Sequence, residues 1–256
     1  VDLELDGATV LVTGGTDGLG LALAERLLRE GANVAVCGRD EARRARASEL
    51  LGPLGRLLVV QADVTVPDDL RRLVEDTTAE FGGLDGLVNN AGQSAAGPFE
   101  SQDDAAWTAD LELKVMSAVR LIRLALPFLR RSAMASIINV LNTGARAPGP
   151  RSLPTTASRS AGLAITKALA TELGPEQIRV NAVLIGAIQS GQMRRAAQRT
   201  GQSLDDMYAA AGARIPLGRV GRADEFGDLG AYLLSRRASF ITGVAINLDG
   251  GQNPVP

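Results

Sequence analysis

The stretch Thr13-Gly14-Gly15-Thr16-Asp17-Gly18-Leu19-Gly20 decides the fold. Just before it, residues 8–13 form a short run rich in apolar and β-branched side chains, which predicts a buried strand. Just after it, Leu19, Leu23 and Leu27 recur every fourth residue and predict a helix over 18–30. Glycines between a strand and a helix let the chain turn tightly and bring its backbone against an anion. The anion then rests at the positive end of the helix. The loop residues Gly14, Thr16, Asp17, Gly18, Leu19 and Gly20 are therefore expected around the pyrophosphate of a dinucleotide.

The same alternation continues outward from this unit. Apolar runs at 33–37, 57–61, 87–89, 136–141, 179–184 and 243–247 predict further strands. Between them, helices are predicted at 41–51, 67–81, 104–130, 156–173 and 223–235, with one or two short helices over 192–213 and a bend in the long helix near Pro127. Strands apolar on both faces and separated by helices imply a parallel sheet covered on both sides. The fold class is α/β: a single Rossmann-type, doubly wound parallel sheet of about seven strands flanked by helices. No linker or repeat divides the chain, so 1–256 is expected to be one dinucleotide-binding domain. Residues 186–216 break the rhythm and are expected to form a substrate lid over the strand ends.

Composition narrows the function classes. The net charge of −2 gives no electrostatic case for nucleic acid or an anionic membrane, and Arg43, Arg44 and Arg46, interleaved with Glu41 and Glu49, read as a solvated helix face. No apolar run approaches the roughly 20 residues of a membrane span. Cys37 is the only cysteine and there is no histidine, so no metal is expected, and a reducing, cytoplasmic setting is.

The spacing Gly14-x3-Gly18-x-Gly20 resembles that of the short-chain dehydrogenase/reductase family. Further segments resemble the family in order: Asp63-Val64 its adenine-contacting pair, and Asn89-Asn90-Ala91-Gly92 its Asn-Asn-Ala-Gly stretch. Val180-Asn181-Ala182-Val183 followed by Gly186 is similar to the segment beside the nicotinamide, with Ile185 where proline usually stands. The resemblance implies cofactor contacts at Asp63, Val64, Asn89, Ala91, Gly92, Gly186, Ile188 and Ser190. Gly38 occupies the place of the acid that would hold the ribose 2′-hydroxyl of NAD, and Arg39 follows it, suited to a 2′-phosphate. This favours NADP(H), with NAD(H) the alternative. Asp17 dissents, since a carboxylate repels phosphate unless it is turned away to cap the helix.

The family's chemistry uses an Asn-Ser-Tyr-Lys tetrad. Aligning Thr166-Lys167-Ala168-Leu169-Ala170-Thr171-Glu172-Leu173 with the family's helix puts Thr155 at the tyrosine, Arg159 at the lysine, Asn142 at the serine and Lys114 at the asparagine. No shift of register rescues a Tyr-x3-Lys, because the only tyrosines are Tyr208 and Tyr232 and the only lysines Lys114 and Lys167. Thr155 is far too weak an acid to act as a phenol does. Arg159 stays charged and still donates, and Asn142 can still hydrogen-bond a carbonyl. Lys114 in apolar surroundings (Leu111, Leu113, Val115) is either a proton donor or acceptor, or a structural cation paired to Glu112 or a carbonyl. Tyr208, in the lid segment, is a candidate substitute acid.

Two readings follow. One is an atypical oxidoreductase acting on a small carbonyl, enone or imine. The other is a repurposed Rossmann fold, either catalysing a non-redox step such as cyclisation, isomerisation or elimination, or catalytically silent. By resemblance the chain is expected to form a homotetramer through helices 104–130 and 156–173.

Overall fold

In the computed structural model, residues 1–255 are described, Gln192 by its backbone alone. The strands β1 (Thr9–Thr13), β2 (Asn33–Gly38), β3 (Leu57–Gln61), β4 (Gly86–Asn89), β5 (Ser136–Asn142), β6 (Arg179–Ile185) and β7 (Ala245–Leu248) form one sheet. Its order is β3-β2-β1-β4-β5-β6-β7, and every neighbouring pair is parallel. The order reverses between β1 and β4, where the chain leaves β3 at one edge and re-enters at the centre. A crevice opens at such a point, at the carboxyl ends of the strands.

Helices α1 (Gly18–Arg29), α2 (Glu41–Leu51) and α9 (Ala223–Leu234) belong to one layer. Leu23, Leu27, Phe226 and Leu233 are buried there against Val10, Val12, Val34 and Val36. The other layer holds α3 (Pro67–Phe81), α5 (Ser117–Leu129) and α6 (Thr155–Leu173), with Leu70, Leu73, Leu121 and Leu129 buried against Leu11, Ala35 and Leu87. The alternation of the strand residues between the two lists is the period-two pleat. Each fully buried leucine contributes roughly 1.5–3 kcal/mol of transfer free energy, so both faces of the sheet are firmly covered.

The strands expected from sequence stand within one or two residues of their places. The long helix does not. It is α4 (Asp104–Leu111), a π-helical turn (Glu112–Met116) and then α5. Helix α5 runs through Pro127 to Leu129, so the irregularity lies not at the proline but at the π-turn. Proline spoils a helix by breaking a bond one turn back, whereas a π-turn adds a residue and carries no such compositional mark. The stretch expected as one or two short helices over 192–213 is two, α7 (Gly191–Thr200) and α8 (Leu204–Gly212), divided at Gly201 with φ +68°.

Candidate functional site

A cavity of about 830 Å³ opens at the switch point. Its floor is the glycine loop. Gly14 and Gly18 have φ of +63° and +58°, a left-handed backbone that glycine adopts without strain. Asn90 braces the loop: its Nδ2 donates to Thr13 O at 2.8 Å and Gly14 O at 3.2 Å. A side chain at Gly20 would stand 2.5 Å from both Gly14 O and Asn90 Nδ2. The cradle therefore depends on glycine, and it faces the start of α1 as a phosphate site requires. Its shape, its volume and the arginines at one end fit a nicotinamide dinucleotide.

At that end Arg39 and Arg43 line the cavity with Asp40, Asp63 and Val64. Arg39 pairs with Asp63 at 3.2 Å, both near solvent. Arg43 therefore belongs to the cavity wall, although its charge pattern reads as a solvated face. Asp17 caps α1, accepting from Gly18 N at 2.8 Å. It is also bridged by Arg194 at 2.7 Å and Arg195 at 3.0 Å, both from the first turns of α7.

Toward β4–β6 the wall is Gly92, Gln93, Ser94, Asn142, Thr155, Arg159, Gly186, Ile188 and Ser190. Behind it lies a closed polar cluster. The Lys114 side chain is fully buried and pairs with Asp110 one turn earlier, not with Glu112, which binds Arg120 at 2.6 and 3.0 Å. Asp110 also accepts from Ser158 Oγ at 2.6 Å. Lys114 Nζ donates to Thr155 Oγ1 at 3.0 Å, and Ala95 N donates to the same oxygen at 2.9 Å. A hydroxyl has two acceptor positions and one hydrogen. With both lone pairs of Thr155 engaged, its hydrogen is left for a partner in the cavity that Thr155 lines.

Burial lowers the Lys114 pKa below the ordinary lysine value; the hydrogen bond to Asp110 opposes the shift and the Arg159 charge adds to it. Arg159 is pushed down to about 10 by burial, with Asp110 opposing. Its Nη1 donates to Val140 O at 2.8 Å, and its Nη2 packs so tightly on Gly92 that a side chain there would stand 2.5 Å away. Asn142 Oδ1 is buried without a hydrogen-bond partner among the described residues.

Most residues singled out in the sequence meet in this cavity. Asn89 stays behind it, donating to Asn139 Oδ1 at 2.9 Å and tying β4 to β5. Gly20 also lies outside the lining, as does Tyr208, half-buried on α8. Asn90 entered the sequence reading only as part of the Asn89-Asn90-Ala91-Gly92 stretch, and Asp110, Ser158, Arg194 and Arg195 were given no role there. Asp110 could have been found, because an acid four residues before a lysine on one helix is a favoured pair. The arginines of α7 could not, since 177 residues separate Arg194 from Asp17.

A doubly wound parallel sheet with a glycine cradle at its switch point defines a dinucleotide-binding class of enzyme. The chain belongs to the short-chain dehydrogenase/reductase family and is an oxidoreductase of that family. The family model described as enoyl-(acyl carrier protein) reductase matches residues 14–253. Among curated relatives, the rhamnolipids biosynthesis 3-oxoacyl-[acyl-carrier-protein] reductase of Pseudomonas aeruginosa is 35% identical over 253 residues, 97% of each chain. L-fucose dehydrogenase of Rattus norvegicus is 35% identical over 247 residues, 96% of this chain and 89% of that one. Among solved structures, the NADPH-bound short chain oxidoreductase from P. aeruginosa PAO1 containing an atypical catalytic center matches with TM-score 0.90 and 35% identity, covering 97% and 98% of the two chains. The L-sorbose reductase of Gluconobacter frateurii, in complex with NADPH and L-sorbose, matches with TM-score 0.94 and 29% identity over the full length of both.

Proposed function

We propose that this chain is an NADP(H)-dependent oxidoreductase of a small carbonyl, enone or imine, with Thr155 delivering the proton and Lys114 standing behind it. The observation that carries this reading is the 3.0 Å hydrogen bond from Lys114 Nζ to Thr155 Oγ1, which joins a buried amine to the cavity wall. NADP(H) is the favoured nucleotide: Arg39 and Arg43 stand at the cavity end where a 2′-phosphate would be read, and NADPH-bound neighbours share the fold.

The nucleotide, when bound, supplies or accepts hydride. The loop Gly14–Gly20 would hold its pyrophosphate, Arg39 and Arg43 its 2′-phosphate, Asp63 and Val64 its adenine, and Gly186, Ile188 and Ser190 its nicotinamide end. Asn142 and Thr155 would orient the substrate oxygen. As negative charge develops on that oxygen, Thr155 passes it the hydroxyl proton and draws a replacement from Lys114. The threonine never exists as a free alkoxide, which answers its weak acidity. Asp110 and Ser158 hold the amine in line, while Arg159 favours its losing the proton. In the oxidative direction the same atoms run in reverse.

Residues 186–216 act as the lid in this reading, and Tyr208, a lid residue outside the cavity lining, does not serve as the acid. We take the assembly to be a homotetramer in a cytoplasmic setting; the tetramer's support is the family resemblance together with Leu111, exposed on α4. A monomer in light scattering would refute the assembly.

The test is titration with NADPH and NADH followed by turnover at 340 nm over a carbonyl panel. Binding of neither nucleotide removes the proposal. Tight binding without turnover on any carbonyl, enone or imine favours the repurposed fold instead.

A further inference from the structure

Of the acidic residues that line the cavity, Asp17 belongs to the glycine loop itself, and the lid helix α7 lies against it. Its carboxylate takes Arg194 on Oδ1 and Arg195 on Oδ2 while also capping α1. Gly191, at the start of α7, lies so close that any side chain there would collide with the Asp17 carboxylate and stand 2.8 Å from Arg195 Nη1. The position a side chain would take at Gly18 is 3.5 Å from Gly191 N. Ser190, the cap of α7, lines the cavity together with Asp17, Gly191 and Met193. The first turn of the lid helix therefore sits directly on the first turn of the cradle helix.

Half-exposed ion pairs such as these add little to the stability of a fold, because water screens them and the arginine side chains lose freedom. Their consequence lies in the sign of the charge at the phosphate cleft. With the lid down, one carboxylate and two guanidinium groups leave the rim cationic. With the lid lifted, both guanidinium groups depart and the rim is a bare carboxylate. A polyanionic ligand at the cradle distinguishes these two states, and a ligand that favours one state shifts the population toward it.

We propose that Asp17, Arg194 and Arg195 form a charge latch that couples phosphate binding in the cradle to closure of the lid. The lid's arginines cancel Asp17, so the carboxylate that argues against a phosphorylated nucleotide in the sequence does not oppose it in the closed protein. This rests on the dinucleotide reading of the cavity. Asp17 and the two arginines are positioning residues, acting on the nucleotide through the charge of the rim and the placement of the lid.

The test uses the full chain and two readouts. In the first, NADPH affinity is measured by fluorescence or calorimetry. The double variant R194A/R195A leaves Asp17 uncancelled and is expected to weaken NADPH binding by about ten-fold or more. Adding D17N to that background restores most of the loss. Affinity within about two-fold of the parent in R194A/R195A, or no recovery in the triple variant, overturns the latch. In the second, amide hydrogen exchange over 191–212 is followed without nucleotide. D17N is expected to exchange faster there than the parent while β1–β6 are unchanged; equal rates overturn the claim that Asp17 holds the lid. If the parent binds neither NADPH nor NADH, the dinucleotide reading and the coupling both fall. The exchange arm still decides separately whether Asp17 restrains the lid.

Discussion

Lys114 Nζ and Thr155 Oγ1 lie 3.0 Å apart although 41 residues separate them in the chain. Lys114 is sealed from solvent and Thr155 faces the cavity, so the pair is a one-bond path from interior to substrate. Removing the hydroxyl while keeping the shape breaks that path. Thr155→Val is expected to lower kcat by about 10²–10⁴-fold, the usual worth of a positioned proton donor, with NADPH affinity unchanged. Thr155→Ser should retain most of the activity. Steady-state rates at 340 nm with calorimetric titration check this, and an active valine variant would exclude the relay.

The lowered Lys114 pKa makes a signed prediction. Burial disfavours the ammonium, so in the fold the proton leaves at a pH below the 10.5 of an ordinary lysine. If Lys114 is the proton reservoir for reduction, kcat falls as pH rises through that lowered value. Between the lowered value and 10.5 the unfolded chain binds more protons, so the Lys114 contribution to stability rises with pH in the same window. Lys114→Arg keeps a cation on Asp110 but does not titrate there. It is expected to slow reduction by about 10²-fold and to flatten the alkaline fall. An unchanged fall in this variant assigns it to another group.

Nucleotide preference is expected to reside in Arg39 and Arg43. A charge-assisted hydrogen bond is worth roughly 1.5–3 kcal/mol, so Arg39→Ala should weaken NADPH by about ten- to a hundred-fold. NADH, lacking the 2′-phosphate, should change little. Parallel fluorescence titrations with both nucleotides measure the ratio, and equal losses for the two would move the 2′-phosphate site elsewhere.

Glu225, at the start of α9, carries an acid-sensitive contact. The Arg219 guanidinium binds both its oxygens, at 2.9 and 2.6 Å, and Arg222 N donates at 2.7 Å, which together hold its carboxyl at about 2. A folded value below the unfolded 4.5 means that the contribution is complete above about 4.5 and is lost as pH falls toward 2. Glu225→Gln is expected to be less stable than the parent at neutral pH, the difference closing as the pH drops through that range. Urea denaturation at a series of pH values reads this directly, and a gap independent of pH would rule it out.

Much of this was legible in the order of residues. A parallel sheet requires strands apolar on both faces, and a phosphate cradle requires glycines between strand and helix; both are local patterns. Placing Thr155, Arg159, Asn142 and Lys114 together needed only the family register. What Lys114 touches was not legible in the same way. Helical spacing favours Asp110, four residues before it, over Glu112, two before it, but its other partner, Thr155, lies 41 residues on and no local pattern reports it. Pro127 drew the eye as the place for a bend because it carries a chemical signature, while Glu112–Met116 carries none. The meeting of Asp17 with α7 is long-range, and no periodicity reports it.

The π-turn also makes the site sensitive to length as well as to composition. It stores one surplus residue in the helix, just after Leu111 and around Lys114. Deleting one residue there would let the helix close into regular α geometry, and the stretches before and after would keep their relative orientation, because the bulge is what absorbs the surplus. The disturbance would be confined to the turn that carries Lys114, with Asp110 and Ser158 left in place. The proton path thus depends on the number of residues in this one turn as well as on their identity, whereas the glycine cradle, the sheet and both apolar layers do not.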